Sequence, residues 1–327
     1  MMNASRQRGA ALLTAMVIVT LVTTVASAMI WQQWRAIQVE AAERTQTQAQ
    51  WILNGALDWA RLILREDKRA AFTQGQIADH LGEPWAMPLA EARLSTFLAA
   101  ERNTTEDAGP DAFLSGAISD AQARYNLRNL VQNGKVVPDE KASVLRLCEF
   151  VGVSTQTGTQ LVEAVAAALL NQPQTPGGHV PLMPPRVEQL DWLKIDASAV
   201  KRLAPHLIWL PEVTPINLNT ASKEVIAAVI LGLDLATAER VVQSRQRKHL
   251  RITEDLFPII GFRPPSLNMT RIETKTDFFE IVGALRLDEL IVSQRSLVKR
   301  VGLEVRILSV ERVGPGVLRP PAAAPSF

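Results

Sequence analysis

The feature that most constrains this chain is an apolar segment close to its start. The segment runs for 21 residues, from Ala10 to Ile30, without a charged side chain. About 20 apolar residues in a helix span the ~30 Å hydrocarbon core of a bilayer. Arg6 and Arg8 lie on its N-terminal side, which favours a cytoplasmic N-terminus because positive flanks are retained there. The sequence therefore predicts a single-pass membrane protein with most of its mass beyond the membrane.

Three interpretations of this segment differ in whether and where it is cut. A signal anchor keeps the whole segment. A secretory signal would be cut after the triplet Ala26–Ala28, which has the required A-x-A form. A prepilin-type leader is cut on the cytoplasmic side of the apolar run, here between Gly9 and Ala10, and the helix is kept. The basic residues followed directly by Gly9 favour the prepilin-type leader.

The balance of charge excludes partners that are attracted by a strong bulk field. Lys and Arg together number 35 and Asp and Glu number 33, so we expect no binding to nucleic acid or to an anionic surface by net charge. Cys148 is the single cysteine, which excludes an intramolecular disulfide. Its place in an apolar helical pattern predicts a buried, unreactive thiol.

The helical period of the apolar run continues past the predicted membrane segment. Apolar residues recur at three- and four-residue steps to about Arg65, and no proline occurs before Pro84. We therefore predict one helix from Ala10 to Arg65. Its second half is amphipathic, which is typical of a helix that packs on a folded domain. The alternative is two helices with a hinge near Trp31.

Helices also dominate the middle of the chain. Two helix–turn–helix units are centred on Gly152 and Gly232. A proline-rich stretch between them leaves room for short helices at Val187–Leu193 and Ala197–Leu203. In the second unit, Asn219 or Thr220 is expected to cap the first helix, since short polar side chains bond the free N–H groups there.

Strand patterns lie on both sides of this helical block. One begins at residue 112, and three follow at Asp277–Leu285, Leu290–Arg300 and Leu303–Val313, where apolar and polar residues alternate. A sheet interrupted in sequence by helices indicates an insertion. The predicted fold class is α+β: a pilin-like long N-terminal helix packed on an antiparallel sheet, with a large all-helical domain inserted in the sheet region.

Other segments have weaker patterns. A helix is predicted over Leu89–Arg102, where good helix formers are enriched. Residues 106–111 form an acidic, turn-rich sequence that is expected to be a solvated loop. Residues 314–327 have no pattern and are expected to be a disordered tail.

The hairpin Leu231–Asp234 allows a different function. A hydrophobic–glycine–hydrophobic turn between helices is similar to the hairpin of helix-hairpin-helix DNA-binding modules, and the basic stretch 240–251 follows it. One of the two usual glycines is missing, however, and Asp234 would face the phosphates. The alternative function is therefore a single-pass membrane protein with a periplasmic helix-hairpin-helix DNA-binding domain.

No catalytic residues and no metal ligands are predicted. The histidines, His80, His179, His206 and His249, are scattered, and none has a His or Cys partner at ligand spacing. No nucleophile elbow, P-loop or dinucleotide-binding motif is present. We predict a protein that is not an enzyme and has no cofactor.

A set of polar residues forms a motif in two parts, one near residue 125 and one near residue 218. Asn side chains in such positions bond nearby backbone and stabilise turns, so we expect structural roles. The residues are Asp120, Tyr125, Asn126, Asn129, Asn217, Asn219 and Thr220. The chain resembles, in these segments and in their order, the GspK family, protein K of the general secretion pathway. Members of this family are minor pseudopilins of type II secretion systems, and they lack the Glu of other pseudopilins at the fifth mature position, which here is Thr14.

The resemblance implies a domain plan and a set of partners. Prepilin peptidase would cut between Gly9 and Ala10 and methylate the Ala10 amine. The protein would lie in the inner membrane, with its globular part in the periplasm. Its partners would be minor pseudopilins I and J, with H as a further candidate, and the inner-membrane secretion platform. Family members bind calcium at an acidic segment, but residues 169–179 contain no acidic residue here.

The implied organisation divides the chain into seven parts. They are a leader (1–9), a transmembrane helix (10–30), the periplasmic half of the long helix (31–66), a first pilin-like segment (67–134), the inserted helical domain (135–265), the later pilin-like strands (266–313) and the tail (314–327).

Overall fold

The computed structural model describes residues 5–75, 77–94, 112–173, 179–264, 267–287 and 290–314. The chain divides into two compact units, residues 1–55 and 56–327. Most of the predicted helix Leu89–Arg102, the acidic loop 106–111 and nearly all of the tail 314–327 lie outside the described residues.

The helices are α1 (Ser5–Gln74), α2 (Pro138–Phe150), α3 (Thr155–Leu170), α4 (Ala197–Leu203), α5 (Lys223–Val229), α6 (Leu235–Arg247) and α7 (Leu256–Ile260). The prediction of a single long N-terminal helix is confirmed, and the helix is unbroken at Trp31. No proline removes a backbone N–H from its hydrogen-bond ladder. Its residues 10–30 are all exposed.

The strands are β1 (Leu89–Arg93), β2 (Ala112–Asp120), β3 (Tyr125–Asn126), β4 (Val131–Gln132), β5 (Lys135–Val136), β6 (Leu207–Ile208), β7 (Ile216–Asn217), β8 (Ile272–Glu273), β9 (Phe278–Leu287), β10 (Leu290–Val301) and β11 (Glu304–Val313). Five of them form an antiparallel sheet in the order β1-β2-β9-β10-β11. In this sheet β2, which precedes the helical block, pairs with β9, which follows it, with Gly116 opposite Gly283.

The predicted helix over Leu89–Arg102 is wrong in its first part. Leu89–Arg93 is an edge strand, in which Ala92 pairs with Leu114 of β2. Helix-forming residues are found in this strand because pairing with a neighbouring strand outweighs a weak local preference.

The C-terminal part of α1 packs on one face of the sheet. Trp85 lies in this contact, 1% exposed, with its ring edge-on to Phe279 at a centroid distance of 5.2 Å. The buried residues from α1 and the strands form one apolar cluster, which comprises Leu57, Ala60, Leu64, Trp85, Phe279, Ile281, Val298 and Val305. Burial of this face is a hydrophobic contribution that holds the helix to the sheet.

The helical block between β5 and β8 has a larger core of its own. Its short helices occur where the sequence predicts them, with a 3₁₀ helix at Val187–Leu193 and α4 at Ala197–Leu203. Cys148 is buried, as predicted, and burial raises the pKa of its thiol to about 11. A Cβ on Gly158 of α3 would lie 3.1 Å from the Cys148 sulfur, so the close approach of α2 and α3 depends on glycine.

The block differs from the prediction in two details. It is not wholly helical, because the two-residue ladders β3–β6 and β7–β8 tie it to the chain on either side. The cap of α5 is Ser222, whose hydroxyl accepts from the Val225 N–H at 3.4 Å, and not Asn219 or Thr220. The side chains of those two residues bond elsewhere.

Candidate functional site

The predicted processing site lies in the first turns of α1. Arg6, Arg8, Gly9 and Ala10 all fall within this helix. Among the described residues, α1 is the one helix that is long and apolar enough to cross a membrane, and its most apolar 18-residue window has a mean hydropathy of 2.2. The apolar segment is therefore a candidate membrane anchor.

Thr14, at the fifth position after Gly9, is bonded within its own helix. Its hydroxyl donates to the carbonyl oxygens of Ala11, at 2.9 Å, and Ala10, at 3.1 Å. A neutral side chain that is engaged in this way offers no carboxylate to a positive group on a neighbouring molecule.

Asp120 lies at the end of β2 and joins the sheet to the helical block. Its carboxylate is 4% exposed and accepts from the Gln122 backbone N–H at 2.7 Å. It also accepts from the Asn217 amide at 2.8 Å and the Thr220 hydroxyl at 2.6 Å. Burial raises the pKa of Asp120 above its ordinary value, and these hydrogen bonds oppose the shift. One carboxylate thus fixes two segments that are distant in sequence.

Asn126 and Asn129 hold the chain before β7. The Asn129 side chain donates to the Thr214 carbonyl at 2.8 Å and accepts from the Thr214 N–H at 3.1 Å, as a strand partner would. The Asn126 amide donates to the Glu212 carbonyl at 2.7 Å, and its oxygen accepts from the Leu210 N–H at 3.1 Å. These amides replace a backbone ladder where no regular strand is present.

Asn219 makes the same kind of contact on the other side of the block. Its amide donates to the carbonyl oxygens of Leu250, at 2.9 Å, and Thr274, at 3.3 Å, and its oxygen accepts from the Leu250 N–H. Asn219 is 2% exposed. The motif residue expected to cap a helix is instead a buried link between three segments.

Tyr125 is part of a buried ionic group. Its hydroxyl donates to Glu140 Oε2 at 2.8 Å, and the same carboxylate accepts from Arg271 Nε, at 2.9 Å, and Nη2, at 3.0 Å. Burial and the neighbouring Glu140 raise the pKa of Tyr125 well above its ordinary value. This group ties α2 to the segment that precedes β8.

A second ionic group lies beneath α1. Arg300, on β10, is 1% exposed and donates to Asp67 at 3.0 Å, to Asp79 and to the Thr276 carbonyl at 3.0 Å. Carboxylate oxygens of Asp67, Asp79 and Glu83 lie within 4.8 Å of one another, a spacing that could suit a divalent cation. Since Arg300 already binds two of these three carboxylates, the arrangement favours an internal ion pair.

Glu83 provides a test of pH dependence in this group. Its Oε2 accepts from the His80 N–H at 2.8 Å and from Trp85 Nε1 at 2.7 Å, and burial raises its pKa to about 7. A carboxyl group whose pKa is higher in the folded than in the unfolded chain stabilises the fold at pH values below its unfolded pKa. This contribution is lost as the pH rises through 7. In Glu83→Gln one oxygen can still accept both bonds. We expect this variant to gain about 1–2 kcal/mol over the unmodified chain between pH 5 and pH 8, after allowance for partial exposure.

The measurement is urea unfolding of both proteins at several pH values. Glu163→Gln, at an exposed glutamate on α3, is the control and should show no such gain. A constant difference between Glu83→Gln and the unmodified chain across this range would contradict the assignment.

The histidines are not all scattered, which corrects the expectation from the sequence. The rings of His80 and His249 stack with centroids 3.9 Å apart and planes 11° from parallel. Rings stacked face to face cannot both direct lone pairs at a common ion, so the pair is a poor metal site. His206 lies elsewhere, 3.1 Å from the Ser222 hydroxyl.

The glycine hairpin of the second unit is unsuited to phosphate. Gly232 has φ +85°, as a tight turn requires, but the Asp234 carboxylate accepts from the Thr237 N–H at 2.7 Å and caps α6. An anionic side chain thus occupies the helix N-terminus where a phosphate would bind. In the basic stretch, Arg245 is largely buried and donates to the Leu218 carbonyl.

Several residues of these groups were missed by sequence reasoning. Asp79, Glu140 and Arg271 have no distinctive local pattern, because their partners are distant in sequence. Arg300 has a weak signal: it continues the inward-facing positions of β10, in register with the buried Val298. A charge at such a position predicts a buried ion pair.

The family model described as Type II secretion system (T2SS), protein K, matches residues 216–275, which include the second half of the polar motif. The chain is 30% identical over 292 residues to the Type II secretion system protein K of Klebsiella pneumoniae, covering 81% of this chain and 82% of that protein. It is 28% identical over 301 residues to the protein K of Pseudomonas aeruginosa, covering 86% of each chain.

A solved structure with the same fold is known. It is a chain of the GspK-GspI-GspJ complex from enterotoxigenic Escherichia coli, with a TM-score of 0.64 and 16% identity, covering 84% of this chain and 98% of that one.

The fold and its first helix define a pilin-like α+β protein with a candidate membrane anchor at α1 and a helical block inserted in its sheet. The relatives that cover most of the chain are components of a secretion system. The chain belongs to the type II secretion system protein K family. The resemblance seen in the sequence is thereby confirmed.

Proposed function

We propose that this protein is a minor pseudopilin that caps the tip of a periplasmic pseudopilus and helps to initiate its assembly for the export of folded proteins. Its partners there are minor pseudopilins I and J, with H as a further candidate. The observation that carries the proposal is the exposed apolar start of α1, continuous with a helix that packs on a pilin-like sheet. The solved complex of a related fold with I and J supports the choice of partners.

The helical block supports a position at the tip. Pilin-like subunits in a shaft pack side by side through their first helices, so the volume available to each globular part is limited. The block between β5 and β8 adds a second core to the pilin-like body. A subunit with this extra volume fits best where it has no neighbour above it.

Thr14 supports the same position. In a shaft, the N-terminal amine of one subunit is buried against the next and needs a negative partner, because an unpaired buried charge costs several kcal/mol. A subunit at the tip has no such amine ahead of it. The neutral Thr14, whose hydroxyl is bonded within its own helix, is therefore sufficient there.

In this proposal the apolar segment of α1 anchors the protein in the inner membrane, with its globular part in the periplasm, where the secretion platform extends the fibre. Prepilin peptidase removes residues 1–9 and methylates the amine of Ala10. The deciding experiment is the N-terminal mass of the protein from membranes of its native cell. A methylated Ala10 start is expected, and Gly9→Val should leave the leader attached. A start at Met29 or an uncut Met1 would contradict the proposal.

Thr14→Glu tests the tip argument. We expect this variant to insert in the membrane and be processed normally, since the leader is unchanged. Fibre initiation and secretion should fall several-fold, because a carboxylate at this position would accept an amine and favour places along the shaft. Secretion of a reporter substrate is the measurement, with Thr20→Glu, which lies outside the fifth position, as the control for a charge in the helix. Unchanged secretion by Thr14→Glu would refute the argument.

A further inference from the structure

A short segment after α1 is held to the helical block at two adjacent residues. We call residues 77–83 the connecting segment. At Asp79 its backbone N–H donates to the Thr274 carbonyl at 2.9 Å, and its carbonyl accepts from the Asn217 amide at 3.1 Å. At the next residue, His80 stacks on His249, which follows α6. The connecting segment therefore depends on an imidazole pair for its contact with the end of α6.

The hydrogen bonds of His80 require a neutral ring. The Gly82 N–H donates to His80 Nδ1 at 3.1 Å, so this nitrogen acts as an acceptor and carries no proton. Protonation of His80 would place a second N–H donor against Gly82 and remove that bond. The turn at residues 80–82 would then lose one of the hydrogen bonds that hold it, and the bonds between His80 and Glu83 would remain.

The surroundings of the two rings also disfavour a positive charge. His80 faces His249 and Asp79, and its backbone N–H donates to the Glu83 carboxyl group. Burial raises the pKa of Glu83 to about 7, so in mild acid this group is neutral and offers no counter-charge. Asp79 offers little compensation, since its carboxylate is bound by Arg300. Burial lowers the pKa of His80, and the nearby His249 lowers it further.

The His249 ring has more cationic neighbours than anionic ones. Lys248 and Arg251 lie beside His249, and both lower its pKa in addition to the effect of burial. Asp255 is the acidic neighbour, but its carboxylate accepts from the backbone N–H groups of Arg251 and Ile252. A proton on either ring would thus add to an unbalanced positive charge.

We propose that the His80–His249 stack is a pH-sensitive contact that holds the connecting segment on the helical block only while both rings are neutral. A shallow surface groove beside the stack is lined by Ile77, His249 and Ile252. Protonation breaks the Gly82 bond, separates the rings and widens this groove. Both isoleucines are already about half exposed, so opening costs little apolar burial. The inference is independent of the function proposed above.

The direction of the pH effect follows from linkage. A histidine whose pKa is lower in the folded than in the unfolded chain makes its full contribution to stability when the pH is above its unfolded pKa of about 6.5. This contribution is lost as the pH falls through the folded pKa. The contact is therefore closed at neutral pH and opens in mild acid.

Amide hydrogen exchange of the full chain in detergent tests the proposal. After correction for the intrinsic rate, exchange at residues 80–83 and 249–252 should be several-fold faster at pH 5.5 than at pH 7.5. His249→Phe keeps an aromatic ring for His80 to stack on but cannot be charged, so the pH dependence at residues 249–252 should largely disappear, while that at residues 80–83 should weaken but persist because His80 still titrates. His179→Phe, at an exposed histidine elsewhere, should retain it.

A second measurement requires no variant. The ring protons of His80 and His249 in the unmodified chain should titrate below the ordinary histidine pKa of about 6.5. The proposal is overturned if both rings titrate at or above about pH 6.5, or if exchange at these amides is independent of pH in the unmodified chain. Unchanged pH dependence in His249→Phe would also overturn it.

Discussion

Arg300→Met is expected to lower the free energy of unfolding by about 3–5 kcal/mol, because it leaves two buried carboxylates without their counter-charge. Arg300 is buried and binds Asp67 of α1, Asp79 of the connecting segment and a backbone carbonyl before β9. Methionine fills similar space but removes every one of these contacts. Denaturant unfolding of the full chain, followed by tryptophan fluorescence, measures the loss.

Two further substitutions show whether burial of the ion pair is the cause. Arg306→Met removes an exposed pair with Glu304, in which both side chains are 60% exposed, and should cost less than about 1 kcal/mol. Arg300→Lys keeps the charge but not the planar fork that reaches two carboxylates, and should give an intermediate loss. Equal losses for Arg300→Met and Arg306→Met would mean that the buried group contributes no more than a surface pair.

Asp120→Ala is expected to cost about 2–4 kcal/mol, because three hydrogen bonds to a buried carboxylate are lost at once. The loss should be concentrated where β2 meets the helical block, since Asn217 and Thr220 of the block donate to this side chain. Hydrogen exchange at residues 120–122 and 217–220 should rise together. The free energy of unfolding is measured as for Arg300.

A second aspartate separates this effect from ordinary helix capping. Asp196 caps α4 but is exposed, and Asp196→Ala should cost only about 1 kcal/mol. Asp120→Asn retains one acceptor oxygen and should lose roughly half as much as Asp120→Ala. If Asp120→Ala and Asp196→Ala lose the same free energy of unfolding, Asp120 acts only as a cap and does not link the sheet to the helical block.

The long helix and the late strands could be predicted because their patterns are local. The absence of proline before Pro84 and the three- and four-residue spacing predict α1. The alternation in Leu290–Arg300 and Leu303–Val313 predicts β10 and β11, which the structure confirms. Each of these patterns extends over many residues, so the period is well defined.

The failures have a different origin, namely contacts between distant residues. Leu89–Arg93 is a strand because β2 lies beside it, although its residues favour a helix. Ser222 caps α5 because the side chains of Asn219 and Thr220 are committed to Leu250 and Asp120. His80 and His249 meet only in the folded chain. No local pattern encodes such pairings, so the sequence identifies the residues of the polar motif but not their partners.

The interrupted sheet has a consequence for the order in which the protein folds. Ala112 of β2 pairs with Leu287 of β9, so β2 is synthesised long before its neighbour. The helical block has its own core and can collapse first, which brings Ile216 and Ile272 into the short β7–β8 ladder. That ladder shortens the loop that β2 and β9 must close, and so reduces the entropy lost in their pairing. We expect the inserted block to fold first and to nucleate folding of the sheet. The edge of β2 then stays unpaired until β9 has been synthesised.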